Sequence, residues 1–344
     1  MKNLVCIFLL MTVYWSCSKH VETEKYQYKR NNIIQVKDKL VEIPTDSLMF
    51  SSHCRPYIID NYLLIADYKS YDHLLHLLDK NTFRYITGFT YWGQGPGEIA
   101  NMGTVGIDHS HRSFNVTDYG KQAMFRYNLD SVIANPDYVP ERKVEIHADK
   151  IIRDYQYIND SSCIGLVLEP ISSSDFKVAT GILNTNNGEF TLMPYVHPKI
   201  KKKRACFDAS LKHGLYVECY YKQNLMTICT LNGELKYNIY GGSNWTENQR
   251  GRFEYYQQAA FVKDRIFVLY LNDSAYINHP VMGLMGNMAT KFLVFDLNGD
   301  YIATLETGYR IRYFCYDEGN NRIILNLDDG MQLAYLSLDG LIDS

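Results

Sequence analysis

Carboxylates recur at one position along this chain. Asp67, Asp118, Asp273 and Asp328, with Glu169, each close an apolar run that reads as the second strand of a four-strand unit. A ring of such oxygens could hold a hard divalent cation such as Ca²⁺, which takes several oxygen ligands. The same residue type also caps its own turn by accepting from nearby backbone amides. Repetition in every unit favours the capping role, because a single cation needs only one cluster. His109 and His111 stand two apart on an expected turn, and a close His pair could add nitrogen ligands. The candidate metal set is therefore Asp118, Asp328 and His109.

Arg55, Arg153 and Arg312 fall at or near the starts of three expected inner strands, with Arg310 close by. Converging guanidinium groups would grip a carboxylate, or a sulfated or uronic sugar, through bidentate hydrogen bonds. Local pairing, for instance of Arg153 with the neighbours of Asp154, is the alternative. Aromatic residues gather at the joints between units: Tyr91, Trp92, Trp245, Tyr255, Tyr256 and Tyr309. Exposed rings stack on sugars or partner side chains. Trp92 and Trp245 lie in Gly-rich loops and, with Glu98, define the expected binding face. No Gly-x-Ser-x-Gly elbow, His-Glu-x-x-His, P-loop or dinucleotide fingerprint is present.

These residues need elements to position them, and the elements are short. From Asn32 onward the chain alternates apolar runs with turn residues, and no stretch of twelve residues carries a helical period. A strand–turn–strand unit repeats around Asp79, Asn128, Asn187, Asn232, Asn298 and Asp339. The last four are followed by Gly, the pairing a tight hairpin demands. The six anchors span 260 residues in five intervals, a mean of 52. That period, at four strands per unit, predicts an all-β, six-bladed β-propeller. Inner strands are expected to begin near Tyr57, Thr104, Ile151, Ala205, Gln258 and Ile311. The last unit lacks an outer strand, which the segment 32–43 would supply to close the ring. Residues 274–290 form a Met- and Gly-rich insertion that would cover the channel, contact a partner or pack on the adjoining blade.

The bounds from composition agree. The 344 residues are 46% hydrophobic and 21% charged, with 29 Tyr and 15 Phe, which suits pleated, half-buried surfaces. A net charge of −3 gives no field for nucleic acid. One basic run, Lys199-Ile200-Lys201-Lys202-Lys203-Arg204, is by default a solvated loop. The first 17 residues have the layout of an export signal, with Lys2, an apolar run from Leu4 to Val13, and Ser16-Cys17. They resemble a bacterial lipoprotein signal in which Cys17 would be lipidated, although Tyr14 and Trp15 depart from the usual pattern. An ordinary cleaved signal and an uncleaved anchor are the alternatives. Residues 18–31 are expected as a flexible tether, and 32–344 as the propeller. Of the eight cysteines, none forms a CxxC pair, so a structural zinc site is not expected. Cys219 and Cys229 could face each other across a hairpin, although buried small hydrophobes are the simpler reading.

The run Gly93-Gln-Gly-Pro-Gly-Glu98, followed by Val-Gly-Ile-Asp108, Phe-Asn-Val-Thr-Asp118 and Met-Phe-Arg-Tyr-Asn128, resembles a family of bacterial lipoproteins described as TolB-like six-bladed propellers, similar in layout to NHL-repeat propellers. The resemblance is strongest over residues 57–130. It implies the fold, a lipid-anchored place in the bacterial cell envelope, and binding work without an agreed catalytic activity. The expectation is a binding platform for an envelope protein or glycan, on the face bearing Trp92, Glu98 and Trp245. The competing expectation is a metal-dependent hydrolase or lyase acting on a carbohydrate or lactone.

Overall fold

The computed structural model describes residues 23–45, 48–147, 149–172, 175–242, 245, 252–281 and 283–342. Cys17 lies outside them. The described residues form a six-bladed β-propeller. Blade one is Cys54–Ile59, Tyr62–Asp67, Leu75–Asp79 and Tyr85–Phe89. The inner strands of the next three blades are Met102–Asp108, Ile151–Asn159 and Ala205–Ser210. Those of blades five and six are Phe253–Val262 and Ile311–Asp317.

The turn residues explain the regularity. Gly188, Gly233, Gly299 and Gly340 all sit at φ between +66° and +83°, the left-handed conformation that glycine adopts without Cβ strain. They follow the four predicted Asx anchors. Apolar side chains then alternate between neighbouring blades. Phe267, Phe292 and Val294 of blade five pack with Phe314, Ile323 and Leu325 of blade six in one dry layer, and similar layers fill the other junctions.

Ring closure is as expected. Leu40–Glu42 pairs antiparallel with Leu333–Ser337 as the outer strand of blade six. The stretch expected as a tether differs. Glu24–Tyr26, within the expected tether, runs parallel to Asn238–Tyr240 at the outer edge of blade four, and Ile33–Gln35, within the segment 32–43 expected to complete blade six, instead runs parallel to Thr304–Glu306 on blade five. The N-terminal segment is thus a strap along three successive blades, and it covers edges that would otherwise present unpaired amides. Arg30 fastens it. Its guanidinium donates to Asn224 Oδ1 at 3.3 Å and Tyr256 Oη at 3.4 Å, and lies over the rings of Tyr270 and Phe295.

Three local expectations change. Blade five begins at Phe253 rather than Gln258, because two register shifts lengthen its inner strand and put Gln258 in the middle. A short helix, Leu129–Ala134, capped by the Asn128 side chain, interrupts blade two. Cys219 and Cys229 are not opposite each other: Cys219 faces Met226 and Cys229 faces Tyr216. The cross-strand neighbour of Cys219 is Cys206, and both thiols are free.

Candidate functional site

Each inner strand starts on the face where blades join and ends in a hairpin on the other face. The two ends of the channel are built differently. A basin of about 1050 Å³ opens on the hairpin face. Its rim carries Asp60, His109, Ser110, Asp160, Lys212 and Glu318, and its wall includes Gln156, Phe207, Asp208, Gln258 and Tyr316.

Toward the joint face the basin ends on a bar. Arg55 of blade one reaches Asp154 of blade three at 2.9 Å, and Arg153 Nε approaches the other oxygen at 3.1 Å. Asp154 sits at φ +49°, inside a bulge between Arg153 and Gln156, which re-aims its carboxylate across the channel. Burial disfavours the ionised Asp154, but Arg55 and Arg153 outweigh it and hold the carboxyl below its usual range. Tyr57 and Tyr313 lie against the Arg55 guanidinium, at 5.3 and 5.6 Å.

The wall is held by polar ties between blades. Asp208 accepts from Gln156 Nε2 at 2.9 Å and from the Phe261 amide at 2.8 Å, joining blades three, four and five. Gln258 donates to Phe314 O at 2.8 Å and accepts from its amide at 3.0 Å, joining five to six. Lys80 and Arg322 converge on buried Asp317, joining six to one. Burial pushes the Asp208 carboxyl up to about 6, against the opposing effect of its donors. Partial desolvation at the rim lowers His109, with Asp60, Asp108 and Glu318 opposing.

The expected site residues disperse. Arg55 and Arg153 do share one place, but they hold Asp154 there. Arg312 stands apart, paired with Asp328 at 3.0 Å beside Arg310 and His53. Asp118 is fully buried and accepts from the amides of Ala100, Asn101, Gly120 and Lys121, so it caps its turn and the preceding joint. His109 lines the basin on the opposite face. The proposed metal set therefore does not converge, and among the described residues no three His, Cys, Asp or Glu side chains gather to hold an ion. Glu98 folds back to accept from the Gly95 amide at 2.7 Å, stabilising its own loop. A Cβ on Gly93 would meet that carboxylate and displace it from the loop. Trp245 is only 6% exposed, packed on Tyr240 and His197, and offers no open stacking face. Trp92 is 41% exposed, as expected, and donates to Ser70 O.

The insertion forms a hairpin, Tyr276–His279 with Gly283–Gly286, over the joint of blades five and six. It borders a shallower pocket of about 450 Å³ with Arg310, Asp328 and Gln332. Sequence reasoning missed Gln156, Asp208 and Gln258. The signal for them was a polar residue in the interior of an inner strand.

Neither a protein-family model nor a curated protein matches the sequence. Solved structures do. A member of the DUF4221 family from Bacteroides vulgatus is similar over 90% of this chain and 98% of its own, at 11% identity and a TM-score of 0.64. A protein from Bacteroides fragilis described as exported is similar over 89% of this chain and 88% of its own, at 14% identity and 0.54. Regucalcin from Agrobacterium tumefaciens, described as calcium-binding, matches over 89% of this chain and 95% of its own, at 10% identity and 0.51. At such identities the likeness establishes the propeller fold alone.

Proposed function

We propose that this protein is a lipid-anchored envelope propeller of the TolB-like kind that binds a small polar ligand, a short glycan, in the basin of the hairpin face. The observation that carries the reading is the basin itself, about 1050 Å³, open at one end and barred at the other by Arg55 and Asp154. Concave sites with a few placed polar groups among apolar and aromatic walls suit such ligands, and amide, hydroxyl and aromatic side chains all line this one. Export is supported by the signal-like N-terminus and by the described nature of the Bacteroides fragilis neighbour. The anchor on Cys17 is tested by the mass of the mature N-terminal peptide from membranes: a diacyl adduct is expected, and an unmodified Cys17 would overturn it. Basin binding is tested on a panel of defined glycans by calorimetry. Ser210→Trp, which intrudes at the rim, should abolish any binding that the wild type shows, while Trp92→Ala should leave it unchanged. A panel without a binder would overturn the glycan reading.

One observation favours a second reading, turnover of the bound sugar. Asp208, with a carboxyl pushed up to about 6, could move a proton near neutral pH. Hydrolysis or elimination with an inflection near pH 6, lost in Asp208→Asn, would establish it. A flat profile would dismiss Asp208 as an acid–base group.

A further inference from the structure

The basic run at 199–204 belongs neither to the basin nor to ring closure, and its last three residues are paired locally. Lys203 is buried against Glu218 at 2.7 Å, and Arg204 lies with Lys202 on Asp175. Lys199 and Lys201 are exposed, and no carboxylate pairs with either among the described residues. This loop runs past the outer corner of blade four, where the strap begins. Lys199 sits over the Trp245 ring at 5.9 Å. Trp245 packs on Tyr240 at 4.7 Å, Tyr240 on Tyr26 at 4.7 Å, and Tyr26 on Tyr28 at 6.1 Å. The inner end of this row is buried. Its outer end is not: Tyr26 is 48% exposed and Tyr28 62%. Exposed Val196 and Lys29 lie on the same two segments. The one acid inside the row, Glu24, is occupied by Asn238 and Tyr240.

We propose that this basic and aromatic corner of blade four rests on an anionic phospholipid surface and fixes the orientation of the propeller on the membrane. Two facts select a membrane as the occupant. Glu24 lies seven residues after Cys17, a stretch that spans at most about 25 Å even when fully extended, so a lipid on Cys17 would hold this corner against its bilayer. The corner also combines lysines without acid partners and half-exposed tyrosines, the residues that meet anionic headgroups and the interfacial zone. A diacyl anchor holds the chain to the bilayer without help, and a polybasic patch adds a second contact that sets its orientation. With this corner down, the basin rim on the hairpin face stays open to solvent.

The proposal rests on the anchor reading of Cys17, but its test does not use the lipid. All six blades are drawn from residues 24–337, so the ring is complete in a chain that lacks the first 17 residues. That chain is sedimented with phosphatidylcholine vesicles, one third phosphatidylglycerol or none. Binding should require phosphatidylglycerol and be lost at high salt. Charge reversal of Lys29, Lys199 and Lys201 to Glu should weaken it on the order of a hundredfold, and Tyr26→Ser with Tyr28→Ser should weaken it further. Reversal of Lys143, Lys212 and Lys263 alters the net charge equally but elsewhere, and should have a much smaller effect. Equal losses in both triple variants, or no preference for phosphatidylglycerol, would overturn the proposal. A diacylated Cys17 on the full chain, together with failure of the shortened chain in this test, would leave the anchor standing and remove the docked corner.

Discussion

At the joint face the inner strands commit their charged side chains to one another. At the hairpin face the charged side chains surround open space, and several pair sideways along the rim: Asp60 with Arg112, Asp160 with His111 and Lys212 with Asp264. Arg55, Arg153 and Asp154 form a bar toward the joint face, while Asp60, His109, Asp160, Lys212 and Glu318 ring a basin at the hairpin face. The difference teaches where recognition can occur. Charges locked together across the channel hold the ring, and charges paired sideways along an open rim still border the space a ligand would fill.

The bar gives the sharpest way to break this comparison. Asp154→Ala would leave two half-buried guanidinium groups without their carboxylate, a change that costs up to about 3 kcal/mol because solvent reaches both arginines. Chemical denaturation should show that loss, and unchanged stability would mean the bar is incidental. Trp245→Ala follows. It empties a buried site against Tyr240 and His197 and should cost about 3 kcal/mol. A negligible effect would return Trp245 to the list of binding residues.

Asp208 sharpens the comparison from the basin side. Its folded value of about 6 lies above the ordinary 3.8. Its contribution is therefore fully present below about pH 4 and is lost as pH rises through 6. At neutral pH its ionised form opposes folding by at most about 3 kcal/mol. Asp208→Asn should be more stable than the wild type at pH 8, with Gln156 turning its amide to match. That advantage should vanish near pH 4. An Asn variant less stable at pH 8 would show that the ties to Gln156 and Phe261 outweigh burial. The smallest effect is expected at Trp92→Ala, within about 0.5 kcal/mol, since the ring is largely exposed and makes one side-chain hydrogen bond.

The fold was legible because local chemistry repeats: Asx-Gly turns fix the hairpins, and apolar runs fix the strands between them. The strap was not, because three-residue strands such as Glu24–Tyr26 are too short to carry a period. Asp118 was legible as a turn cap, since its donors are close in sequence or belong to the preceding joint. The bar and basin were not, because their partners are remote. Arg55 meets Asp154 across 99 residues, and Asp208 meets Gln156 across 52. Arg153 and Asp154 are adjacent, yet only the bulge in the inner strand of blade three aims the Asp154 carboxylate across the channel. Trp92 and Trp245 looked alike in Gly-rich loops, and only packing separates the exposed ring from the buried one.

The most direct test of the basin is hydrogen exchange on the full chain with and without a glycan that binds it. Slowed exchange should concentrate at residues 57–60, 108–110, 156–160 and 208–212, the strand ends that line the basin. Protection at 91–99 on the joint face, with none in those strand ends, would contradict the account.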